Sequence, residues 1–157
     1  MITVGIADYA VGEQGATLAT IGLGSCVAIA LHAPAARIGA LAHVLLPNAL
    51  LSASHTAPGK FASTVLPVML RRMRELGAIE EVGARLVGGA SMFAGLLAPG
   101  AVSLGSRNIA AARAACAAHD IKVIAEDVGC AHGRSVYLDV DAGTLLVRSM
   151  QMGDVLL

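Results

Sequence analysis

Apolar and polar positions alternate at the start of the chain. Ile2, Val4 and Ile6 are spaced by Thr3, Gly5 and Ala7, the period of a strand with one buried face. Thr17-Leu18-Ala19-Thr20 predicts a second short strand, which Gly22-Leu23-Gly24-Ser25 bends or ends. Residues 27–31 are apolar throughout and predict a strand buried on both faces. A turn follows around Pro34, then a strand over 38–46 that stops at Pro47-Asn48, then a loop over 47–58. Over 59–76, Val65, Met69, Met73 and Leu76 share one helical face. Arg71, Arg72 and Arg74 complement the dipole at that helix's end, and Gly77 suits the position after it. Pro67 predicts a kink or a late start. Residues 84–87 read as a buried strand, 106–118 as an Ala-rich helix and 121–125 as a strand. Residues 135–140 and 144–148 form a hairpin around Asp141-Ala142-Gly143. With no internal repeat and no linker, the pattern predicts a single domain over 1–157. Strand runs interrupted by two helices predict an α+β fold, layered mixed or antiparallel β-sheets with two main flanking helices.

Charge narrows the function. Lys plus Arg and Asp plus Glu are 11 each, so the formal net charge is zero, and aromatic residues are 3% of the 157. A chain with no positive excess and almost no stacking surface is not expected to bind nucleic acid. The apolar fraction is 56% and the charged fraction 14%, which excludes intrinsic disorder. Between Glu13 and Lys60 the only charged residue is Arg37. Gly, Ser, His, Asn and Pro interrupt both flanking stretches, so no membrane insertion is expected. Met1-Ile2-Thr3-Val4 lacks the basic region of a signal peptide. Three cysteines make no disulfide framework and suit a reducing, cytoplasmic setting.

Cys26 is the strongest nucleophile candidate. It follows Gly22-Leu23-Gly24-Ser25 and opens an apolar strand, and glycines beside a nucleophile let a substrate approach closely. No Lys or Arg lies within ten residues of it, so activation falls to an imidazole. If residues 26–32 and 37–43 form a hairpin across 33–36, Leu31 faces Ile38 and Cys26 faces His43. A register slip of two residues keeps that pair on one face, and a slip of one separates it. Such a pair is within reach of a thiolate–imidazolium arrangement. The competing reading is a buried structural thiol beside an apolar strand. Cys116, within an Ala-rich helix, reads as core. Cys130, after Gly129, reads as a small loop filler or a redox handle. His32, His55, His119 and His132 fall in turns or at helix ends, where histidines are commonly solvated. Cys130-x-His132 with Cys26 or His43 matches no zinc spacing, so no metal is expected, and Gly22-x-Gly24 lacks the third glycine of a dinucleotide loop.

Several ordered blocks resemble the CheD family, the chemoreceptor glutamine deamidases of bacterial and archaeal chemotaxis. Residues 20–27, TIGLGSCV, resemble the family's TLGLGSCV segment, and 39–47, GALAHVLLP, its histidine strand ending in LP. Pro58-Gly59-Lys60-Phe61-Ala62 resembles the start of its first long helix. Residues 85–93 are similar to its GGASMF strand and turn, and Leu104-Gly105-Ser106-Arg107-Asn108 to its IGxRN helix start. Ala125-Glu126-Asp127, Gly129 and Gly133-Arg134-Ser135-Val136 match its late strand and turn. The blocks run in order from about residue 3 to 149.

The resemblance implies Cys26 as nucleophile, His43 as general base and acid, and Thr20 as the hydroxyl that orients His43. It implies hydrolysis of receptor glutamine amides through a thioester, with backbone N–H groups near Ser25 and Cys26 as oxyanion donors and Gly24 and Ser25 flanking substrate approach. It implies no cofactor and a fold related to cytotoxic-necrotizing-factor-type cysteine hydrolases. Its expected partners are the cytoplasmic helices of chemoreceptors and a CheC-type phosphatase, and receptor methyl esters are a further expected substrate. A shallow, glycine-lined groove would suit a glutamine on a helix surface. The alternative is a non-catalytic adaptor that binds the phosphatase or receptor. Three positions depart from the family pattern: Ser63 where Asp is usual, Pro67 inside the first long helix, and Cys130 in place of a glycine.

Overall fold

The computed structural model describes residues 1–52 and 57–157, so the expectation for His55 and part of that for the 47–58 loop lie outside the described residues. Two five-stranded sheets lie face to face. The first has the order β1 (Ile2–Thr3), β3 (Thr17–Leu23), β8 (Arg134–Asp139), β9 (Thr144–Ser149) and β10 (Gly153–Leu156). The second has the order β2 (Tyr9–Gly12), β5 (Ile38–Val44), β4 (Val27–Ala33), β6 (Gly83–Gly88) and β7 (Lys122–Val128). Helices α1 (Ala62–Glu75) and α2 (Leu104–Ala118) cover the outer face of the second sheet.

The apolar run at 27–33 takes its place from this layering. β4 and β5 are buried at every position because they form the middle layer. Val27, Ile29, Leu31, Ala40 and Ala42 point to the helices and meet Val65, Met69, Met73 and Ala112. Ala28, Ala30 and Leu41 point the other way and meet Leu18, Val136, Leu138 and Leu145 of the first sheet. Period two thus divides one hydrophobic strand between two cores. The sheets are mixed, since β1–β3 and β6–β7 pair in parallel and the other strands antiparallel. This is the α+β layering that the residue pattern predicts.

Several boundaries differ from the sequence reading. α1 begins at Ala62 and runs unbroken through Pro67. Proline cannot donate to the carbonyl one turn back, which belongs to Ser63, and Ser63 is exposed to water. β2 and β10 are absent from the hydrophobic pattern because both are four-residue edge strands, and β10 is exposed at every position. His32 and His132 are buried rather than solvated. β4 extends past Leu31, which carries His32 into the gap between the sheets, where Nε2 lies 2.8 Å from the Val140 carbonyl oxygen. His119 caps α2 and is exposed, as expected for a helix end. Cys116 is core. Burial, with the Glu126 charge, pushes its thiol up to about 11.

Candidate active site

The β4–β5 hairpin sets the first relation. Its loop spans 34–37, with Arg37 N–H donating to the Pro34 carbonyl at 3.2 Å and Arg37 in the left-handed region at φ 50°. Ala33 therefore pairs with Ile38, Leu31 with Ala40 and Ala28 with His43. The register is two residues from the predicted one, in which Cys26 faced His43 directly. Cys26 lies just before β4, diagonal to His43 and on the same face, in the core between the two sheets. Diagonal partners of this kind stand about 7–8 Å apart at Cα.

β3 supplies the second relation. The Thr20 hydroxyl lies 2.7 Å from the Val4 carbonyl oxygen and 2.7 Å from Nδ1 of His43. The Val4 oxygen can only accept, so the single hydroxyl proton goes to it. The contact with His43 is then Nδ1–H donating to Oγ1. That assigns the tautomer and leaves Nε2 with a free lone pair. Nε2 is buried and has no hydrogen-bond partner among the described residues. The His43 main chain is held as firmly, its carbonyl accepting from Ala7 N–H at 2.9 Å and its N–H donating to Asp8 O at 3.0 Å. Thr20 itself is fully buried, and a bulge between Thr20 and Leu23 follows, with Gly22 at φ 78°. Bulges of this kind re-aim a strand beside a site.

The turn carrying Cys26 is tied through three successive carbonyls. Gly24 O accepts from Ala90 N–H at 2.8 Å, Ser25 O from Asn108 Nδ2 at 2.9 Å and Cys26 O from Gly89 N–H at 2.7 Å. Gly88 sits at φ 109°, and a Cβ there would collide with the Cys26 carbonyl. Only glycine fits at that approach.

Asn108 is a buried polar side chain whose ties to the site are not evident from its motif alone. It is fully buried, and Nδ2 also donates to Leu45 O at 3.1 Å. The missed signal was a polar residue inside the buried stripe of α2 formed by Gly105, Ile109, Ala112 and Cys116.

Electrostatics favour an uncharged pair at rest. Burial pushes the Cys26 thiol up, offset in part by its own backbone N–H, and burial pulls the His43 imidazole down. Both directions oppose the thiolate–imidazolium arrangement expected from sequence, because either charge would sit in a poorly solvated core.

A groove of about 230 Å³ opens beside Ser25, lined by Met92, Phe93, Leu97, Leu104 and Gly105 among others. Of the expected glycine lining it has Gly105 alone, and Met92, Phe93 and Leu97 in it are exposed. Cys130 is exposed, so it is not a loop filler. Its φ of 59° is one a glycine adopts without strain, and its carbonyl accepts from Ser91 N–H at 2.8 Å. No cluster of three His, Cys, Asp or Glu side chains suited to a metal occurs among the described residues. No described helix is long and apolar enough to cross a membrane.

The family model described as CheD chemotactic sensory transduction matches residues 45–149, more than half of the chain. The chain belongs to the CheD family. The chemoreceptor glutamine deamidase CheD of Thermotoga maritima is 37% identical over 154 residues, covering 98% of this chain and 94% of that protein. A probable chemoreceptor glutamine deamidase CheD of Pyrococcus abyssi is 37% identical over 156 residues, covering 99% and 95%. A probable chemoreceptor glutamine deamidase CheD 2 of Geobacter metallireducens is 40% identical over 155 residues, covering 96% and 94%. The family-model match begins two residues after His43, whereas the CheD relatives align over nearly the whole chain.

Proposed function

We propose that this chain hydrolyses glutamine side-chain amides on chemoreceptor helices to glutamate, with Cys26 as nucleophile, His43 as base and acid, and Thr20 as the group that orients the imidazole. The observation that carries this reading is the Thr20 hydroxyl between Val4 O and His43 Nδ1. It leaves a buried Nε2 with a free lone pair on a residue whose sheet face also holds Cys26, which supports its use as the base. The deamidase relatives, similar along nearly the whole chain, support the substrate.

Cys26 Sγ attacks the carboxamide carbon while Nε2 takes the thiol proton. The tetrahedral oxyanion collapses, the C–N bond breaks, and His43 returns that proton to the departing ammonia. A water molecule, deprotonated by Nε2, then attacks the thioester. The C–S bond breaks, the sulfur takes that proton from His43 to restore the thiol, and the new carboxylic acid gives its own proton to the released ammonia, leaving glutamate. A receptor methyl ester offers the same carbonyl to the same attack, with methanol leaving. The exposed apolar groove beside Ser25 suits one face of a helix better than a small soluble amide.

His43 must be neutral to accept the proton. Its burial lowers its pKa from 6.5, so activity should persist as pH falls through the ordinary imidazole range and fail only below it. Incubation with a receptor cytoplasmic fragment, followed by peptide mass spectrometry, should show glutamine converted to glutamate. Rate measurements across pH should place the acid limb of kcat/KM below 6.5. A fragment that binds yet stays unmodified would make the chain an adaptor of the kind that partners a CheC-type phosphatase.

A further inference from the structure

We propose that Asn108 is a positioning residue that aims the Cys26 backbone N–H at the oxyanion formed during amide attack. The inference rests on Cys26 being the nucleophile and adds a role for a side chain one helix away.

In a trans peptide the C=O and the following N–H point in opposite directions. Asn108 Nδ2 holds the Ser25 carbonyl at 2.9 Å, so the Cys26 N–H of that same peptide points away from α2. Cys26 N and Sγ are joined through only Cα and Cβ, so that N–H lies close to the reacting sulfur. A reacting carbonyl carbon bonded to Sγ would present its oxygen to that side, where a backbone N–H makes an oxyanion donor. The second Nδ2 hydrogen goes to Leu45 O at 3.1 Å, two residues past His43. One amide nitrogen therefore fixes both the plane of the nucleophile's peptide and the strand that carries the base.

The orientation of the amide is set by its partners. Both are carbonyl oxygens, and only the nitrogen end can donate to them. Oδ1 is left buried and without a partner among the described residues. A buried polar group left in that condition costs stability, which favours a purpose other than packing. Glycines bring the amide within reach: a Cβ on Gly105 would collide with the Gly89 and Ala90 carbonyls, and one on Gly89 with Ile109. The first turn of α2 thus lies directly on the 89–90 loop that holds Gly24 and Cys26.

The test compares two Cys26 reactions, one that develops an oxyanion and one that does not. A receptor-helix peptide bearing an aldehyde in place of the glutamine carboxamide adds reversibly to the thiol and generates the oxyanion. Iodoacetamide alkylates the thiol by displacement and generates none. In Asn108→Ala and Asn108→Ser, aldehyde affinity and kcat should fall together by about 10- to 100-fold, less than deleting a donor outright. KM and the alkylation rate should stay near the wild-type values. Equal losses in both reactions, or a loss in neither, would overturn the proposal. If the wild type forms no aldehyde adduct, the deamidase reading itself fails and this inference with it. If neither variant folds, amide exchange in the wild type decides: adduct formation should slow exchange of the Cys26 N–H, and unchanged exchange would overturn the role.

Discussion

Cys26→Ala is expected to lower receptor deamidation by about 10⁴-fold or more, the scale on which removal of a covalent nucleophile acts. His43→Ala is expected to cost about 10²–10⁴-fold, the contribution of one positioned acid–base group. The two losses should not add, because sulfur and imidazole act in one proton transfer. Neither loss should come from unfolding in the cysteine variant. Cys26 is small and lies at the edge of a core whose register is set by β4, β5 and β6, so its unfolding free energy should stay within about 1 kcal/mol of wild type. Steady-state rates on a receptor fragment, with urea melts of each variant, check both halves. Retention of more than about a tenth of the rate in Cys26→Ala would remove the thiol from the mechanism.

The largest stability effect should come from Arg134. Its side chain is fully buried, and it binds Asp127 Oδ1 at 2.8 Å, Gly129 O at 2.9 Å and His132 O at 3.3 Å. It therefore staples both ends of the turn that holds Cys130, and that turn donates Gly129 N–H to Gly88 O at 2.9 Å. Arg134→Met keeps much of the volume and removes every donor. Breaking a buried pair by deleting one partner costs about 3–5 kcal/mol. Asp127 is 29% exposed and can recover water, so the lower end, about 3 kcal/mol, is expected. For a chain of this length that is a fall in Tm of about 6–12 °C. Asp127→Asn keeps an acceptor but leaves the fully buried guanidinium without a counter-charge, so it too should cost about 3 kcal/mol or more. Calorimetry that shows either variant as stable as the wild type would contradict this account of the turn.

The layering and the shared face of Cys26 and His43 were legible because both rest on period two. A hairpin register wrong by two residues preserves the face, which is why the pair emerged although the loop falls at 34–37 instead of 33–36. The position of that loop depends on Arg37 adopting a left-handed backbone, which no hydrophobic pattern reports. The family blocks pointed to Thr20, but its bond to Val4 O, which assigns the His43 tautomer, joins residues through tertiary structure alone. Asn108 ends a block that reads only as a helix start, and its partners at Ser25 and Leu45 lie 83 and 63 positions away. The edge strands β2 and β10 were invisible because they are held by backbone pairing more than by apolar burial.

The central claim is that His43 Nε2 takes the Cys26 thiol proton as the sulfur attacks. The measurement that tests it most directly is the pH dependence of Cys26 alkylation by iodoacetamide in the wild type and in His43→Ala, with Cys130 replaced in both. Burial holds the thiol above its ordinary pKa, so alkylation near neutrality relies on the base; without it that reaction should slow and only the thiolate limb at alkaline pH should remain. Superimposable profiles would contradict the pairing.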